Sequence, residues 1–581
     1  MDTQRSGKRQ LAGWKSFFRT IKNLRLPWIW IIFGLSLNLI LNNLTLKIPD
    51  MTADLLGGNL TGAALTSAVL YYVIYGLMNC AAVAGQIQAQ SYSVRRARMT
   101  VWKKMLGMKM EYFDEHDPSD LMSAITNDLG DAVLQFVNVI IYLFPTIYYV
   151  VLAFKRINEY HWILAVSCFA IVPLKCLYAW IMGRRYQSGT AHVFDRIGVL
   201  TGFLADRINH LPLIKTYTNE EKEGAAGQDA AHKLLKANMK LVHLDNISMG
   251  ANSVFGILQK FIVVVVAVVL LQKGEIDMAM WLAFFLFSQN LFTYIDQLFD
   301  IWLQVKYLQG SFDRTIEIME GAEEAADGAA SFPADGDIVF ENVTFTYPET
   351  DTPALKNVSF TIPRGSSAAI VGLCGSGKTT SISMLERFYT PQQGLVRIGD
   401  TDVSHISLAD FRHNLAYVQQ GAGIFSGTIR DAVTYGIERE VTDKDIYVAA
   451  EQTGFSEYLN LCPKGLDTDV AADGVSMSGG QSQRLVLTRE LLRGGDIILM
   501  DEPTSALDVR VSVKIQETMD TLFADKTRIL ITHDLKFAKD YDKILVMSGG
   551  ELVGEGTHEY LMETCEMYRK MNENAEEETA V

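Results

Sequence analysis

The sequence predicts two kinds of structure in one chain: a multi-pass α-helical membrane domain, with six transmembrane helices and long intracellular extensions, followed by an α/β domain with a largely parallel sheet. Three observations predict this. Hydrophobic residues make up 49% of the 581 residues and the mean hydropathy is +0.12, which is typical of a chain that is half membrane and half soluble. Apolar runs long enough to span a bilayer recur in the first three hundred residues. After them, short β-branched strands alternate with helices.

Six apolar runs are predicted to cross a membrane, because a helix rises about 1.5 Å per residue and each run is long enough for a bilayer. The predicted spans are Trp28–Leu46, Leu65–Gln86, Val133–Phe154, Trp162–Met182, Val254–Leu271 and Trp281–Val305. The second run turns polar gradually, which suits a long helix that leaves the membrane and continues into water.

The basic residues predict the orientation of these spans, since cytosolic loops carry an excess of Lys and Arg. They cluster before span one, after span two and after span four: Arg5, Lys8, Arg9, Lys15, Arg19, Lys22, Arg25, Arg95, Arg96, Arg98, Lys103, Lys104, Arg184 and Arg185. Both termini are therefore expected in the cytosol, although Lys155 and Arg156 in a short predicted outer loop disagree. No signal-peptide or transit-peptide pattern is evident, which favours a bacterial plasma membrane.

Two long polar segments, Arg95–Asp131 and Arg184–Ser253, are predicted to be mainly helical and cytosolic. Acidic, turn-prone sequences lie near their middles, DEHDPSD (Asp114–Asp120) and TYTNEEKE (Thr216–Glu223). From the residues alone, each is interpreted as a solvated bend.

Charge and cysteine content argue against two classes of protein. The formal net charge is −15, whereas a nucleic-acid partner requires a basic surface. The six cysteines show no CxxC or CxxxC spacing, which fits neither a disulfide framework nor a zinc site.

Composition places the domain boundaries. Residues 1–319 are predicted to form the transmembrane domain and residues 337–570 the α/β domain. Between them, 320–336 lie in an Ala-, Glu-, Asp- and Gly-rich stretch that is interpreted as a linker. The acidic residues 571–581 are expected to be a disordered tail.

The sequence GLCGSGKT, Gly372–Thr379, follows the apolar strand SAAIV and precedes a predicted helix. This is the GxxxxGK[ST] pattern in the context that a phosphate-binding P-loop requires. The glycines let backbone N–H groups turn towards phosphate oxygens, and the helix N-terminus adds partial positive charge. Lys378 would reach the β- and γ-phosphates, and the Thr379 hydroxyl would bind Mg²⁺.

A second phosphate-related element follows the buried-strand sequence IILM. Asp501 and Glu502 stand at the carboxyl end of that strand. One carboxylate there can hold the water shell of Mg²⁺, and the next can polarise an attacking water. An isolated acidic pair at a strand end is often only solvated, but this is rare downstream of a P-loop.

Further motifs stand around these two in a fixed order. Met477-Ser478-Gly479-Gly480-Gln481 is followed by Gln483-Arg484; the others are Tyr347 in FTYPE, Gln420 in YVQQ, Ser505-Ala506-Leu507-Asp508 and His533 in ITHD. With these motifs the chain resembles ATP-binding cassette (ABC) transporters, specifically half-transporters of the ABC exporter fold. The resemblance covers essentially the whole chain. The signature has Met where the family's LSGGQ has Leu.

The resemblance implies an ATP hydrolase coupled to transport, with ATP and Mg²⁺ as cofactors and Glu502, His533 and Gln420 as catalytic residues. The implied nucleotide contacts are Tyr347, Gly372, Gly375, Ser376, Gly377, Lys378, Thr379, Thr380, Ser478, Gly479, Gly480, Gln481 and Asp508. The implied metal contacts are Thr379, Gln420 and Asp501.

In this family two cassettes enclose two ATP molecules, each between the P-loop of one chain and the signature of the other. The resemblance therefore implies a partner, which is a second copy or a related half-transporter. The two acidic bends, Asp114–Asp120 and Thr216–Glu223, match regions around the family's coupling helices only loosely. Coupling helix and solvated bend therefore both stay open for them.

Polar residues recur at helical spacing in the sixth predicted span. They are Gln289, Thr293, Asp296, Asp300 and Gln304, called here the polar stripe. Because a carboxylate in a bilayer costs about 2.5 kcal/mol or more, the stripe should face something polar. We interpret it as lining a central cavity, where the aspartates attract a cationic or polyamine-like group. The alternatives are a polar seam between helices and a position near the cytosolic mouth.

Three polar residues on other spans are candidates to act with the stripe. Asn38 and Asn42 on span one are further candidate substrate contacts. Lys175, which follows Pro173 on span four, is expected to pair with one of the aspartates or to mark a kink.

The expected function is ATP-driven export of a small amphiphilic, cationic or peptide-like substrate by a dimer in a lipid membrane. Two alternatives stay open: an importer with the exporter fold, for example of siderophores, and a regulator or channel that does not pump. The presence of Glu502 and His533 argues against the regulator.

Two departures from the family pattern affect these expectations. Cys374 replaces a small hydroxyl or amide residue in the P-loop and places a thiol beside the nucleotide. Ala471-Ala472-Asp473-Gly474 stands where related exporters usually have Gly-Glu-Arg-Gly. The second change weakens any detailed expectation about communication between cassette and coupling helices there.

Overall fold

The computed structural model describes residues 14–56, 61–116, 118–324, 328–348, 350–419, 423–470, 477–503 and 509–580. The chain forms two compact units. The first unit comprises Met1–Met108 with Tyr112–Glu323, and the second comprises Lys109–Glu111 with Glu324–Val581. The two units are described separately below.

Helices dominate the described residues before the first strand. They are α1 (Trp14–Asn23), α2 (Trp28–Leu56), α3 (Gly62–Leu106), α4 (Met110–Glu115), α5 (Pro118–Ser123), α6 (Leu129–Tyr160), α7 (Trp162–Cys168), α8 (Val172–Asn209), α9 (Leu211–Thr216), α10 (Glu220–Gln272), α11 (Met278–Ser311) and α12 (Asp313–Glu320). A π-helical turn, Ala124–Asp128, joins α5 to α6.

Five helical segments in the described residues are long and apolar enough to cross a membrane. They are Trp28–Thr52, Gly62–Leu106, Leu121–Tyr160, Trp162–Asn209 and Glu220–Gln272. These segments contain the first five predicted spans. Helix α11 (Met278–Ser311) has the length of a span but is not among these five segments. The sixth span stays a prediction.

The fourth predicted span, Trp162–Met182, is broken rather than continuous. Helix α7 ends at Cys168 and α8 begins at Val172, with Pro173 in its first turn. Proline lacks an N–H and restricts the residue before it, so a break here is expected. The Gln259 side-chain amide on α10 donates to the carbonyl of Cys168 at 2.7 Å, which satisfies one backbone group at the break.

The predicted cytosolic bends interrupt the long polar helices. Helix α3 ends at Leu106, and the short helices α4 and α5 occupy most of the acidic sequence Asp114–Asp120. Between α9 and α10, Tyr217–Asn219 form the turn in TYTNEEKE. The structure shows turns in both places, whereas the coupling role stays a prediction.

The sequence analysis missed α1, an amphipathic helix before the first span. Phe17 and Ile21 are buried with Leu24 against the first unit's core. The Phe17 ring meets Phe312 edge-on at 5.1 Å. Arg19 pairs with Glu320 at the end of α12. The signal for α1 was the spacing of Phe17, Thr20, Ile21 and Leu24 on one helix face.

The second unit contains strands β1 to β12 within its described residues. They are β1 (Ile338–Phe345), β2 (Leu355–Ile362), β3 (Ser367–Gly372), β4 (Gln393–Ile398), β5 (Thr401–Asp402), β6 (Leu415–Val418), β7 (Gly427–Thr428), β8 (Asp469–Val470), β9 (Ile497–Asp501), β10 (Thr527–Thr532), β11 (Lys543–Ser548) and β12 (Glu551–Gly556).

These strands form three sheets. An antiparallel sheet has the order β2-β1-β4-β5, a six-stranded sheet has the order β12-β11-β3-β10-β9-β6, and β7 pairs with β8. In the six-stranded sheet, β11, β3, β10, β9 and β6 run parallel. Strands β3 and β9 are buried throughout, because both faces of a parallel sheet are covered. The carboxyl ends of these five strands therefore share one edge.

Helices cover the sheets and form a separate layer. They are α13 (Lys378–Leu385), α14 (Leu408–His413), α15 (Ile429–Thr434), α16 (Asp443–Gln452), α17 (Ser456–Leu459), α18 (Gly479–Arg493), α19 (Val509–Leu522), α20 (Leu535–Ala538), α21 (His558–Thr564) and α22 (Glu566–Ala580). Helices α15 to α18 contribute to a core of their own, which includes Ile429, Ile446, Phe455 and Leu485.

The boundary segments differ in structure. Helix α12 ends at Glu320 and β1 begins at Ile338, and within the predicted linker Ala330 bridges to Ile406. Helix α22 continues through residues 571–580, where the sequence predicted a disordered tail. A pair between Lys570 and Glu566, one helical turn apart, supports α22.

Candidate functional site: the nucleotide edge and the polar stripe

The P-loop joins β3 to α13, and steric crowding requires glycine at two of its positions. A Cβ at Gly372 would lie 2.3 Å from the Met547 carbonyl oxygen. Gly377 has φ +99°, and a Cβ there would lie 2.6 Å from the Ala354 carbonyl oxygen. Side chains at these two positions would collide with backbone, so only glycine allows this loop.

Polar groups of the loop are arranged for an anion. The Lys378 ammonium donates to the carbonyls of Gly372 at 2.9 Å and Leu373 at 3.0 Å. Ser376 Oγ is buried and has no hydrogen bond within the described part of the chain. Because buried polar groups in proteins are almost always satisfied, this hydroxyl fits a ligand oxygen. The loop therefore fits a phosphate group.

Asp501 ends β9 beside the P-loop and is 5% exposed. Burial, and then the neighbouring Glu502 carboxylate, raise the pKa of Asp501, while the Lys378 ammonium and the Thr379 hydroxyl oppose this rise. These effects need short distances, so the Asp501 carboxylate lies near Lys378 and Thr379. A hydroxyl and a carboxylate side by side are ligands suited to Mg²⁺.

Glu502 and His533 come together at the ends of β9 and β10. His533 Nδ1 lies 3.4 Å from Glu502 Oε1. The Glu502 side chain is 19% exposed and that of His533 62%, so the pair lies at the surface of the edge. Glu502 has φ +44°, and its N–H donates to the Ile531 carbonyl at 3.0 Å. A non-glycine residue at such a φ is strained, which is common at functional sites.

Tyr347 is also held beside this edge. Its hydroxyl lies 3.2 Å from Thr380 Oγ1 on α13. The Tyr347 ring meets Phe345 edge-on at 4.9 Å and Tyr389 at 5.3 Å. We call Gly372–Thr380 together with Asp501, Glu502 and His533 the nucleotide edge; Tyr347 stands at its margin.

The signature residues lie elsewhere, at the start of α18. Ser478 caps this helix: its hydroxyl accepts from the Gln481 N–H at 3.4 Å, and its N–H donates to Gln481 Oε1 at 2.8 Å. Gly479 and Gly480 form the first turn. The hydrogen bonds of these signature residues are therefore made within the first turn of α18, which belongs to the helical layer. Gln420, Asp508 and the Ala471–Gly474 segment lie outside the described residues.

Two residues near the nucleotide edge, Glu386 and Tyr417, were not predicted from the sequence. Glu386 is buried just after α13; burial raises its pKa to about 8, with the Arg412 guanidinium opposing and Asp501 adding to the rise. Tyr417 on β6 hydrogen-bonds to Asp501, and burial raises the pKa of Tyr417. A glutamate ending the mainly apolar ISMLE was the available signal for Glu386.

The polar stripe of the sixth predicted span lies on α11, and we call it the α11 stripe. Its residues meet different surroundings along the helix. Thr293 and Asp300 are exposed in this single chain, whereas Gln289, Asp296 and Gln304 are half-buried. The Thr293 hydroxyl donates to the Gln289 carbonyl at 3.1 Å. The stripe residues therefore do not share one environment.

Asp296 forms an ion pair with Lys175 of α8. The Lys175 side chain is 2% exposed and that of Asp296 36%. The Phe299 ring centre lies 5.8 Å from the lysine nitrogen. The expected pairing of Lys175 with one aspartate is confirmed, and it places Asp296 in a seam between helices.

Asn38 and Asn42 are buried in the helix packing. The Asn42 amide donates to the Pro145 carbonyl at 2.8 Å, and its oxygen accepts from the Tyr294 hydroxyl at 2.8 Å. The Asn38 amide donates to the Gly34 carbonyl at 2.9 Å. These contacts are structural, and the substrate role of both residues stays an untested prediction.

Comparison with known families decides the identity of the fold. The family model described as ABC transporter transmembrane region matches residues 28–295, and the one described as ABC transporter matches residues 355–505. Together they cover more than half of the chain, in the order that the two units have. The chain belongs to the ABC transporter family. This ABC protein is a half-transporter of the exporter fold, with one transmembrane region and one cassette.

Several bacterial proteins are similar over most of their length. A multidrug resistance ABC transporter ATP-binding and permease protein of Lactococcus lactis subsp. cremoris is 26% identical over 96% of this chain and 95% of its own. An ATP-dependent lipid A-core flippase of Idiomarina loihiensis is 29% identical over 81% of each chain. One from Escherichia coli O6:K15:H31 is 26% identical over 86% of this chain and 87% of its own.

The comparisons confirm the predicted fold class and enzyme class. The ABC half-transporter binds ATP, and its cassette couples ATP hydrolysis to transport across a membrane.

Proposed function

We propose that two half-transporters, identical or related, form one exporter with ATP bound between their cassettes. The observation that supports a dimer is that the signature and the P-loop lie apart within one chain. Ser478–Gln481 start α18 on the helical layer, whereas the P-loop lies at the edge of the parallel sheet. A signature from a second chain would complete each nucleotide site.

Within each nucleotide site, the residues of the nucleotide edge would have different roles. Ser376 Oγ and the backbone N–H groups of the P-loop would hold phosphate oxygens, and Lys378 would turn from its loop carbonyls towards the γ-phosphate. Thr379 and Asp501, with Gln420, would bind Mg²⁺, which neutralises phosphate charge when bound. Glu502 would orient and deprotonate the attacking water, and His533 would contact the γ-phosphate.

The proposed substrate is a small amphiphilic molecule with a cationic or peptide-like group. The charge distribution on α11 supports this. Lys175 neutralises Asp296, so Asp300 with the exposed Thr293 remains to receive a positive group in a cavity. The names of the relatives, a multidrug resistance ABC transporter and ATP-dependent lipid A-core flippases, also support an amphiphilic substrate.

The proposed location is a bacterial plasma membrane, with both termini and the cassette in the cytoplasm. The basic residues beside spans one, two and four support this orientation. The bacterial origin of the relatives supports the membrane type.

Transport into inside-out vesicles tests this proposal. Vesicles that contain the protein receive a fluorescent lipophilic cation and MgATP, and Glu502→Gln vesicles serve as the blank. Export predicts ATP-dependent accumulation inside the vesicles, reduced in Asp300→Asn but not in a matched variant of an exposed cytosolic aspartate, Asp229→Asn. ATP-dependent loss of preloaded cation would indicate import instead. ATP hydrolysis without movement of any compound from a cell extract would contradict a pump that acts as a homodimer.

A further inference from the structure

Two tryptophan–cation pairs lie side by side where α8 and α11 leave the predicted membrane. On α8, the Arg184 guanidinium stacks over the Trp180 ring at 4.3 Å from its centre. On α11, the Lys306 ammonium lies 5.2 Å from the centre of the Trp302 ring. In both pairs the cation follows the tryptophan by four residues, which places the two side chains on one helix face. We call these four residues the Trp–cation site.

Packing between the two helices holds the pairs together. The Trp302 indole N–H donates to the Ala179 carbonyl at 3.3 Å. Gly183, the residue before Arg184, gives room: a Cβ there would lie 3.1 Å from Trp302 Nε1 and 3.2 Å from Lys306 Cγ. The glycine therefore lets α11 approach α8 closely at this site.

The site concentrates positive charge. Burial and the nearby Arg184 guanidinium lower the pKa of Lys306, so the two cations are close enough to repel each other. Within the described residues, Arg184 forms no ion pair with a carboxylate, and its side chain is exposed. The Arg184 guanidinium, which has no described acidic partner, therefore lies close to a second positive charge on Lys306. Such a pair of cations is suited to binding an anion.

The position of the Trp–cation site relative to the predicted membrane indicates which class of anion it would bind, namely anionic lipid headgroups. The predicted spans four and six end at Met182 and Val305, so both tryptophans lie just inside the boundary and both cations just outside it. The bias of basic residues assigns this boundary to the cytosolic side. Tryptophan rings favour the headgroup level of a bilayer, and basic sites between helices on the cytosolic side bind anionic headgroups.

We propose that the Trp–cation site binds the phosphodiester headgroup of an anionic phospholipid that resides in the cytosolic leaflet. Arg184 would hold the phosphate oxygens through its paired N–H groups, and Lys306 would add a second charge-assisted bond. The rings of Trp180 and Trp302 would flank the glycerol and the first acyl carbons. This proposal goes beyond the export function, because it concerns a resident lipid rather than the cargo.

Lipid retention by the full-length protein tests the site. The protein is placed in nanodiscs of phosphatidylcholine with or without phosphatidylglycerol, and the retained lipids are identified by native mass spectrometry. Arg184→Gln and Lys306→Gln are each expected to lower the preference for phosphatidylglycerol about five-fold, the effect of one cation near an anionic surface. The matched control is Arg185→Gln, which removes the same charge from the next, also exposed residue; it should leave the preference unchanged.

Two outcomes of the lipid-retention experiment would overturn the proposal. An equal loss in Arg185→Gln would mean that the general positive surface, and not this site, attracts the lipid. Unchanged preference in Arg184→Gln and Lys306→Gln, with melting temperatures like the parent protein, would exclude a headgroup site here.

A fluorescence measurement keeps the test independent of charge substitution. Brominated phosphatidylglycerol should quench the parent protein more than brominated phosphatidylcholine does, and the difference should shrink in Trp180→Phe and Trp302→Phe. An undiminished difference in both variants would contradict the site. ATP-driven movement of labelled phosphatidylglycerol to the other leaflet would make the lipid cargo and overturn its resident assignment; the export proposal would not depend on that result.

Discussion

The nucleotide edge and the α11 stripe collect polar groups by different means. At the nucleotide edge, Gly372, Asp501 and Thr532 end three hydrogen-bonded parallel strands, and the register of the sheet brings their successors together. On α11, a single helix arranges five polar residues in a row, and the neighbouring helices decide what each one meets. Asp296 meets Lys175, while Asp300 one turn later is exposed. Residues at the carboxyl ends of neighbouring parallel strands are brought into contact by the sheet itself. Residues on one helix face only point in the same direction, and the neighbouring helices determine their contacts.

The largest expected effect is at the nucleotide edge. Glu502→Gln should lower the ATPase rate constant about 10²–10⁴-fold, because it removes the group that would deprotonate the attacking water. ATP binding, measured with a fluorescent analogue, should persist. Glu551→Gln, on an exposed glutamate of β12, is the control and should hydrolyse ATP normally. A nearly normal rate in Glu502→Gln would remove Glu502 from the catalytic role.

Substitution along the stripe should separate its two aspartates. Asp296→Asn leaves the buried Lys175 ammonium unpaired and should destabilise the transmembrane unit by about 2 kcal/mol. This is less than the loss for a fully buried pair, because Asp296 is 36% exposed. Asp300→Asn should change stability by less than about 0.5 kcal/mol. Unfolding in detergent measures both.

A double variant checks the cause of that difference. Lys175→Met with Asp296→Leu removes both charges and should recover most of the stability that Asp296→Asn loses. Equal destabilisation by Asp296→Asn and Asp300→Asn would mean that the ion pair does not distinguish the two positions.

Alkylation at Cys374 should have an intermediate effect. This thiol is exposed within the P-loop, so an N-ethylmaleimide adduct would obstruct the phosphates. We expect about a ten-fold loss of ATPase, equivalent to about 1.4 kcal/mol of activation free energy, and protection by MgATP. Cys374→Ser should be insensitive, although exposed Cys80 and Cys176 remain. Inhibition that persists in Cys374→Ser would assign the effect to another thiol.

The last expected effect is a pH dependence of stability, and it concerns Glu386, which is buried beside the nucleotide edge. Its folded pKa, raised to about 8 mainly by burial, exceeds the unfolded value near 4.5. Between these values the folded state holds a proton that the unfolded state releases, so stability should fall as pH rises from 4.5 to 8. The slope should not exceed about 1.4 kcal/mol per pH unit. Chemical unfolding over pH 5 to 8 should show a shallower slope in Glu386→Gln; equal slopes would refute the assignment.

Sequence patterns predicted most of the cassette because its chemistry follows strands. The run SAAIV before Gly372 and the run IILM before Asp501 both form buried parallel strands, as expected. The family resemblance implied that Glu502 and His533 act at one nucleotide site, and in the structure His533 Nδ1 lies 3.4 Å from Glu502 Oε1. Glu386 was missed because the mainly apolar ISML before it does not by itself show whether the glutamate is buried or exposed.

The membrane helices were predicted less completely. Apolar length located the first five spans, yet it did not show the break between Cys168 and Val172 that Gln259 helps to satisfy. Asn42 had the spacing of a cavity residue, but Pro145 and Tyr294 engage it inside the packing. Helical periodicity cannot tell a polar residue that faces a cavity from one that faces a neighbouring helix.

The sequence by itself determined the order of domains, the ABC cassette and the residues at its strand ends, since each depends on a local pattern of apolar runs and motifs. Only the tertiary structure decided that Lys175 pairs with Asp296, 121 residues away, and that Trp180 and Arg184 lie beside Trp302 and Lys306. The physical reason is that these contacts arise from the close packing of α8 against α11. A pattern along one helix fixes which residues share its face, but the neighbouring helix fixes which of them find a partner.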